Sequence, residues 1–320
     1  MADKKPSVLI AFGGNALDVG NSADLHQKEE FIVARRAMTS VVDCVQAGYD
    51  QIILTHGNGP QVGRIFLQQE ITKEQFPRQI TLDVCVADSQ GRIGYVLQNV
   101  FDNLCRQRGI NKTASTVVTQ VVVDKADPAF QKPNKPIGLF YKEEEAKKLI
   151  AERGWNMTED AGRGWRRVVP SPIPNKIVEE DKILKLVNSG FMTVACGGGG
   201  IPVIENEQGE LRGVEAVIDK DRTSALLAAQ AKVDVFVILT EANFCYINYK
   251  KPDEKAIQKV KYSEMERYQK EGHFLAGSMG PKVEAAMDFI RKGGKRAIIA
   301  NLYDLLPALN GQCGTEITPD

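Results

Sequence analysis

Two lysines stand where the chain could handle phosphate. In VIDKD, Val217 to Asp221, Lys220 lies between Asp219 and Asp221 at a helix start, and in GSMGPKVEAA, Gly277 to Ala286, Lys282 follows Pro281 at another. Helix N-termini present unpaired N–H groups and a positive partial charge, so phosphate oxygens are favoured there and a lysine adds a mobile point charge. A lone lysine is ordinarily just solvated; neighbouring glycine turns give these two their weight. The run CGGGGIP, Cys196 to Pro202, follows the apolar, β-branched FMTVA, Phe191 to Ala195, which reads as a buried strand. Glycine inside an element costs roughly 0.5–1 kcal/mol relative to alanine. Four in succession therefore imply unusual backbone dihedrals or contact with a ligand, and not packing.

The elements that must position these residues repeat one device. SVLIAF, Ser7 to Phe12, has the character of a central parallel strand and runs into Gly13, Gly14 and Asn15; QIILT, Gln51 to Thr55, feeds His56, Gly57, Asn58, Gly59 and Pro60. In open α/β sheets ligands bind outside the carboxyl ends of the strands, so three such turns would converge on one crevice. Ordinary tight turns are the competing reading. Between the turns, Gln27 to Ala47 carries a helical apolar stripe ended by Gly48, a second helix begins near Pro60, and a third spans Leu82 to Leu104. Thr116 to Val123 reads as one β-branched strand. This is a βαβα rhythm with a parallel sheet. It resumes with helices near Lys176–Asn188, Arg222–Ala231 and Pro281–Arg291 and strands at Val235–Leu239 and Ala297–Ala300. Asp124 to Pro174 interrupts it with six prolines, both tryptophans and the charged run Gly162 to Arg167. Such a stretch is too proline-rich for a central sheet and is expected to form an inserted subdomain over one edge of a single 1–320 domain.

Composition excludes several classes. Lys plus Arg and Asp plus Glu both number 41, giving a net charge of zero and no field to hold the chain on nucleic acid or an acidic membrane. The longest apolar runs fall far short of the ~20 residues that span a bilayer, and MADKKPS has no secretory apolar region, so a cytoplasmic protein is expected. The six cysteines are dispersed without zinc spacing and read as reduced thiols. His56, beside a glycine turn, could line the pocket or serve as a structural hydrogen-bonding group. The third glycine of GNGPQVG, Gly57 to Gly63, comes one residue too late for a dinucleotide fingerprint, and GxxxxGK[ST] is absent.

Taken together, AFGGNAL, THGNGPQVG, VVVDKADPAFQKPNKPIG, EDAGRGWRRVVPSP, CGGGGIPV, GVEAVIDKD, INYKKPDEK and GHFLAGSMGPKVEAA make the chain resemble the carbamate kinases of the amino acid kinase family. The KPIG and GRGWRRVVPSP stretches point to that branch within the family. The resemblance implies a three-layer α/β/α sandwich with a mostly parallel open sheet, a protruding lid at about Asp124 to Pro174, and a homodimer. It implies exchange of a phosphoryl group between carbamoyl phosphate plus MgADP and carbamate plus MgATP, with ATP formation at the end of arginine fermentation as the family expectation. Gly13, Gly14, Asn15, Gly57 and Asn58 would bind carbamate and the transferred phosphoryl. Lys135 would reach in from the lid, Lys220 and Lys282 would hold phosphates, and Asp221 would orient those two lysines. Gly197, Gly198, Thr240, Cys245 and Met279 would join Lys220 and Lys282 around the nucleotide, with Mg²⁺ carried by the nucleotide and not by a protein cage. Departures sit in SMGPK, with Gly280, and TEANFC, with Asn243 and Phe244. Another acid or phosphate kinase of this fold, acting on acetylglutamate or a uridine monophosphate, and a non-catalytic nucleotide or anion binder remain the alternatives. Cys245 is expected either packed and inert or partly exposed beside the adenine.

Overall fold

The computed structural model describes residues 5–13, 28–160, 162–274 and 278–320. Gly14 and Asn15 lie outside them.

Its centre is an eight-stranded sheet in the order Lys259–Lys261, Thr315–Thr318, Arg296–Asn301, Val235–Thr240, Val8–Phe12, Ile52–His56, Met192–Val194 and Ala114–Thr116. Every neighbouring pair is parallel except Arg296–Asn301 with Thr315–Thr318. The central strands are buried on both faces, as their unbroken apolar runs require. Their alternation divides the core. Val8, Ile10 and Phe12 pack in one cluster with Met38, Val41 and Leu97 from the helices Lys28–Gln46 and Leu82–Gln107. Leu9 and Ala11 pack in the other with Leu227, Val283 and Phe289 from the helices Lys220–Gln230 and Met279–Arg291. The result is a three-layer α/β/α sandwich.

Register fixes where the site can be. Phe12 lies opposite both His56 and Leu239, and the Gly57 N–H donates to the Phe12 carbonyl at 3.1 Å. Gly13, Gly57 and Thr240 therefore leave the sheet at one level on its carboxyl edge.

The Thr116–Val123 segment is not one strand. Ala114–Thr116 edges the main sheet, whereas Gln120–Val123 pairs with Ile201–Glu205 and Pro174–Ile177 in a second sheet. The break falls at buried Thr119, whose N–H donates to Gln90 Oε1 at 2.8 Å and whose hydroxyl accepts from the Cys196 N–H at 3.0 Å. Within Asp124 to Pro174, Lys135–Tyr141, Trp165–Val169 and Met157–Glu159 form their own antiparallel sheet, with the helix Glu143–Arg153 beside it. This small sheet meets the main body along the helix Gly59–Ile71. An added Cβ at Gly63 would lie 2.1 Å from Gly138 Cα, so the two backbones touch there and only glycine fits. That contact accounts for the displaced third glycine of GNGPQVG. Val62, Leu82, Ile137, Val169 and Val217 close the seam with a core of their own.

Candidate active site

The carboxyl-edge turns and the small sheet enclose a crevice of about 440 Å³. Its floor holds Gly13, Gly57, Asn58, Gly198 and Thr240, and Lys135, Lys220, Asp221 and Lys282 surround it. Volume does not single it out, since hollows of about 460 and 480 Å³ occur beside the Met279–Arg291 helix and the Lys255–Ile257 strand. Its chemistry does. Neither of those is lined by a strand-end glycine turn or by these lysines.

Asp221 is the hub. Lys220 Nζ donates to Asp221 Oδ1 at 2.6 Å and Lys282 Nζ to Oδ2 at 3.1 Å, so one carboxylate holds two ammonium groups from two helix starts. Burial opposes charge on Asp221, but Lys220 and Lys282 outweigh it and hold the carboxyl well below the ordinary carboxylate range. Lys220 is pushed down by burial, with Asp221 working against that, whereas Asp221 raises Lys282. Two ammonium groups on one carboxylate leave a net charge of +1, with Lys220 and Asp221 buried and Lys282 partly so, and a phosphate group complements that balance. Lys220 begins the helix Lys220–Gln230, whose N-cap is Asp219 with side-chain bonds from the N–H groups of Asp221 and Arg222. The short Val217–Asp221 motif thus sets cap, lysine and hub in order.

The glycine run lies beneath. Gly197 to Gly200 are all buried, and Gly198, Gly199 and Gly200 have positive φ. Packing, which the sequence had argued against, is what demands them. A Cβ on Gly198 would lie 2.1 Å from Asn58 Nδ2, and one on Gly199 would lie 2.4 Å from the Ile218 carbonyl oxygen. Side chains bind the run in place: Gln90 Nε2 donates to the Gly197 carbonyl at 2.9 Å, and Thr223 Oγ1 to that of Gly199 at 2.8 Å. Asn58 Nδ2 donates to Ser89 Oγ at 2.8 Å. Of the four glycines, Gly198 lines the crevice. His56 is wholly buried with Nδ1 3.0 Å from the Gly57 carbonyl, and burial lowers its pKa to about 4. It is a neutral structural group.

Lys135 enters from the small sheet. Its ammonium donates to Asp219 Oδ2, and burial of that carboxyl is outweighed by the lysine beside it, leaving Asp219 below its usual range.

Three expected nucleotide residues do not line the crevice. Gly197 is covered, Met279 starts its helix to one side, and Cys245 is fully buried with Sγ 3.6 Å from Met279 Sδ. Burial pushes the Cys245 thiol up to about 12, so the partly exposed thiol is replaced by a packed, protonated one. Conversely, Asp219, Arg163, Arg166 and Glu241 line the crevice without having been singled out. In the sequence the two arginines belong to the charged run Gly162 to Arg167 and to the family-like stretch GRGWRRVVPSP, neither of which gives them a role. Both lie over the Phe140 ring and pair with Asp160, which orients them.

A lysine-ringed crevice with glycine turns at the carboxyl edge of a three-layer α/β/α sandwich is an arrangement that suits a phosphate-handling enzyme. Residues 6–301 match the amino acid kinase family, and the chain belongs to it. Carbamate kinase of Thermococcus kodakarensis is 51% identical over 313 residues, covering 97% of this chain and 98% of the relative. Carbamate kinase 2 of Enterococcus faecalis is 46% identical over 310 residues, covering 97% and 98%. Among solved structures, Giardia lamblia carbamate kinase bound to AMP-PNP superposes with a TM-score of 0.88 at 44% identity, covering 98% of this chain and 99% of that one.

Proposed function

We infer that this chain is a carbamate kinase, exchanging a phosphoryl group between carbamoyl phosphate plus ADP and carbamate plus ATP. The observation that carries the reading is the Lys220–Asp221–Lys282 cluster set against glycine turns, with Lys135 opposite. Carbamate is an anion at neutral pH, so its oxygen attacks without a general base. The crevice fits that need: His56 is buried beneath it, and Asp219 and Asp221 are taken up by lysines. The transferring phosphoryl spreads negative charge over its equatorial oxygens, which Lys220, Lys282 and Lys135 are placed to stabilise. Asp221 holds the first two in fixed directions, so little reorganisation accompanies the reaction.

Magnesium belongs with the nucleotide in this reading. Mg²⁺ ordinarily keeps several waters and needs only one or two carboxylates, so an ion carried by the nucleotide would ask little of the crevice. Glu241 is the crevice carboxylate that could face it. The metal would supply additional positive charge at the phosphates.

The small sheet is proposed as the lid, and ATP formation is the family expectation for direction, since carbamoyl phosphate is a high-energy mixed anhydride. A homodimer is proposed across the helices Gly59–Ile71 and Leu82–Gln107, where Ile71, Val84 and Tyr95 are exposed. Sedimentation tests that part. Among the described residues no helix is long and apolar enough to cross a membrane, and a cytoplasmic location is the matching proposal. The activity is tested with purified protein and a panel of phosphoryl donors and acceptors. Turnover confined to carbamoyl phosphate and carbamate supports the reading, and turnover with acetylglutamate or a uridine monophosphate would replace it with one of the alternatives.

A further inference from the structure

Asp219 uses its two carboxylate oxygens for different things. Oδ1 accepts the Asp221 N–H at 2.9 Å and the Arg222 N–H at 3.3 Å, capping the helix that carries Lys220 and Asp221. Oδ2 accepts from Lys135 Nζ, 84 residues away on the small sheet. The cap has no need of a full charge, since asparagine and serine cap helices about as well as aspartate. In a crevice that must receive phosphate, a carboxylate without a cation would repel the ligand. The direct partner of that charge is Lys135, and Lys220 and Lys282 also attract it without a hydrogen bond.

The backbone gives that pair a fixed frame. Lys135 opens its strand opposite Val169, and one residue further the Pro170 carbonyl accepts the Val217 N–H at 3.0 Å. Gly63 against Gly138 seats the same strand on the Gly59–Ile71 helix. Strand register thus brings the Lys135 Cα to the rim, while the flexible four-carbon side chain is directed by Asp219. The lysine side chain is 27% exposed and the aspartate 17%, so the pair is reachable by an entering ligand yet partly shielded from water.

We propose that Asp219 is a positioning residue for Lys135: its carboxylate holds the lysine over the crevice before substrate arrives and keeps the small sheet seated on the start of the Lys220 helix. When phosphate oxygens enter, Lys135 has only to turn from one anion to a neighbouring one. Asp219 touches no reacting atom in this scheme; it acts through Lys135. The proposal rests on the phosphoryl-transfer reading of the same crevice.

The test is a double-mutant cycle with Asp219→Asn and Lys135→Ala, alongside Asp219→Ser, which keeps a capping oxygen. Wild-type turnover of carbamoyl phosphate with MgADP checks the underlying reading, and the ratios between variants check Asp219. Misplacing a catalytic group by an ångström can cost ~10²-fold. Asp219→Asn is therefore expected to lower kcat by about 10- to 100-fold with KM for MgADP changed less than about twofold, and to change kcat by less than about twofold once Lys135 is alanine. Hydrogen exchange in the ligand-free protein supplies a readout independent of activity: the amides of Lys135, Ile137, Val168 and Val169 are expected to exchange faster in both Asp219 variants. A wild-type kcat in Asp219→Asn, an equal loss with and without Lys135, or unchanged exchange together with a lowered melting temperature would reduce Asp219 to a helix cap and overturn the proposal.

Discussion

Lys220 and Lys282 reach the crevice from helices of the main body, whereas Lys135 reaches it from the separate three-stranded sheet, and the two sides hold charge in different ways. On the body side a single buried carboxylate, Asp221, binds both ammonium groups, and backbone and side chains are packed without slack around the glycine run. On the other side Lys135 and Asp219 form one partly exposed pair, steadied by a small apolar seam. Breaking a buried charged cluster costs stability as well as rate, because the charges left behind have no solvent to turn to. Breaking the exposed pair costs mainly rate. The difference predicts that body variants lose fold and turnover together, and that small-sheet variants separate the two.

The largest effect is expected for Asp221→Asn. With Lys220 and Lys282 no longer oriented, kcat is expected to fall by ~10³ and stability by about 3–5 kcal/mol. The pH profile of kcat would lose no ionisation, because Asp221 stays charged and is not a base; steady-state kinetics across pH with denaturant melts checks both. Normal turnover at a lowered melting temperature would make Asp221 structural only.

Lys135→Ala comes next and is the sharper contrast. It is expected to fold with a melting temperature within a few degrees of wild type, to bind MgADP nearly as well, and to lose about 10²-fold or more in kcat. Single-turnover kinetics with isothermal titration of ADP separates these. Weaker ADP binding as the sole defect would take Lys135 out of the phosphoryl-transfer set.

Two stability effects follow on the body side. His56 has its pKa lowered to about 4 by burial, against about 6.5 when unfolded, so the unfolded chain binds the extra proton between those values. Stability conferred by neutral His56 is complete above about pH 6.5 and declines as pH falls, by up to about 3 kcal/mol near pH 4. Urea melts from pH 4 to pH 8 would show this slope, and His56→Asn would flatten it in that window. Gly198→Ala places a Cβ against Asn58 at a φ of +65° and is expected to cost about 2 kcal/mol, read as a shift in the denaturation midpoint.

Much of this architecture could be read from residue order. Strands with unbroken apolar runs can only be central, so Val8–Phe12, Ile52–His56 and Val235–Thr240 were legible together with the edge on which their glycine turns meet. Lys220 and Lys282 were legible because helix starts declare themselves through aspartate and proline. Asp219 is not legible in the sequence, because a capping aspartate looks the same whether or not a lysine 84 positions earlier folds back onto it. The tetraglycine misled for a related reason: what excludes its side chains is Asn58, Ile218 and Val121, neighbours distant in sequence. Thr119 broke a β-branched run that periodicity joins, and Cys245 sits behind the crevice wall in a place only packing reveals.

In the proposed reading Lys220, Lys282 and Lys135 serve to move a phosphoryl group to or from a four-heavy-atom acid. The most direct test of that reading is ATP formation by the purified chain from MgADP with carbamoyl phosphate, acetyl phosphate or an amino-acid acyl phosphate as the sole donor. ATP produced rapidly from carbamoyl phosphate, slowly from the nearly isosteric acetyl phosphate and not measurably from the bulkier donor is the predicted result. MgADP binding without ATP formation, or equal turnover of the amino-acid acyl phosphate, would contradict it.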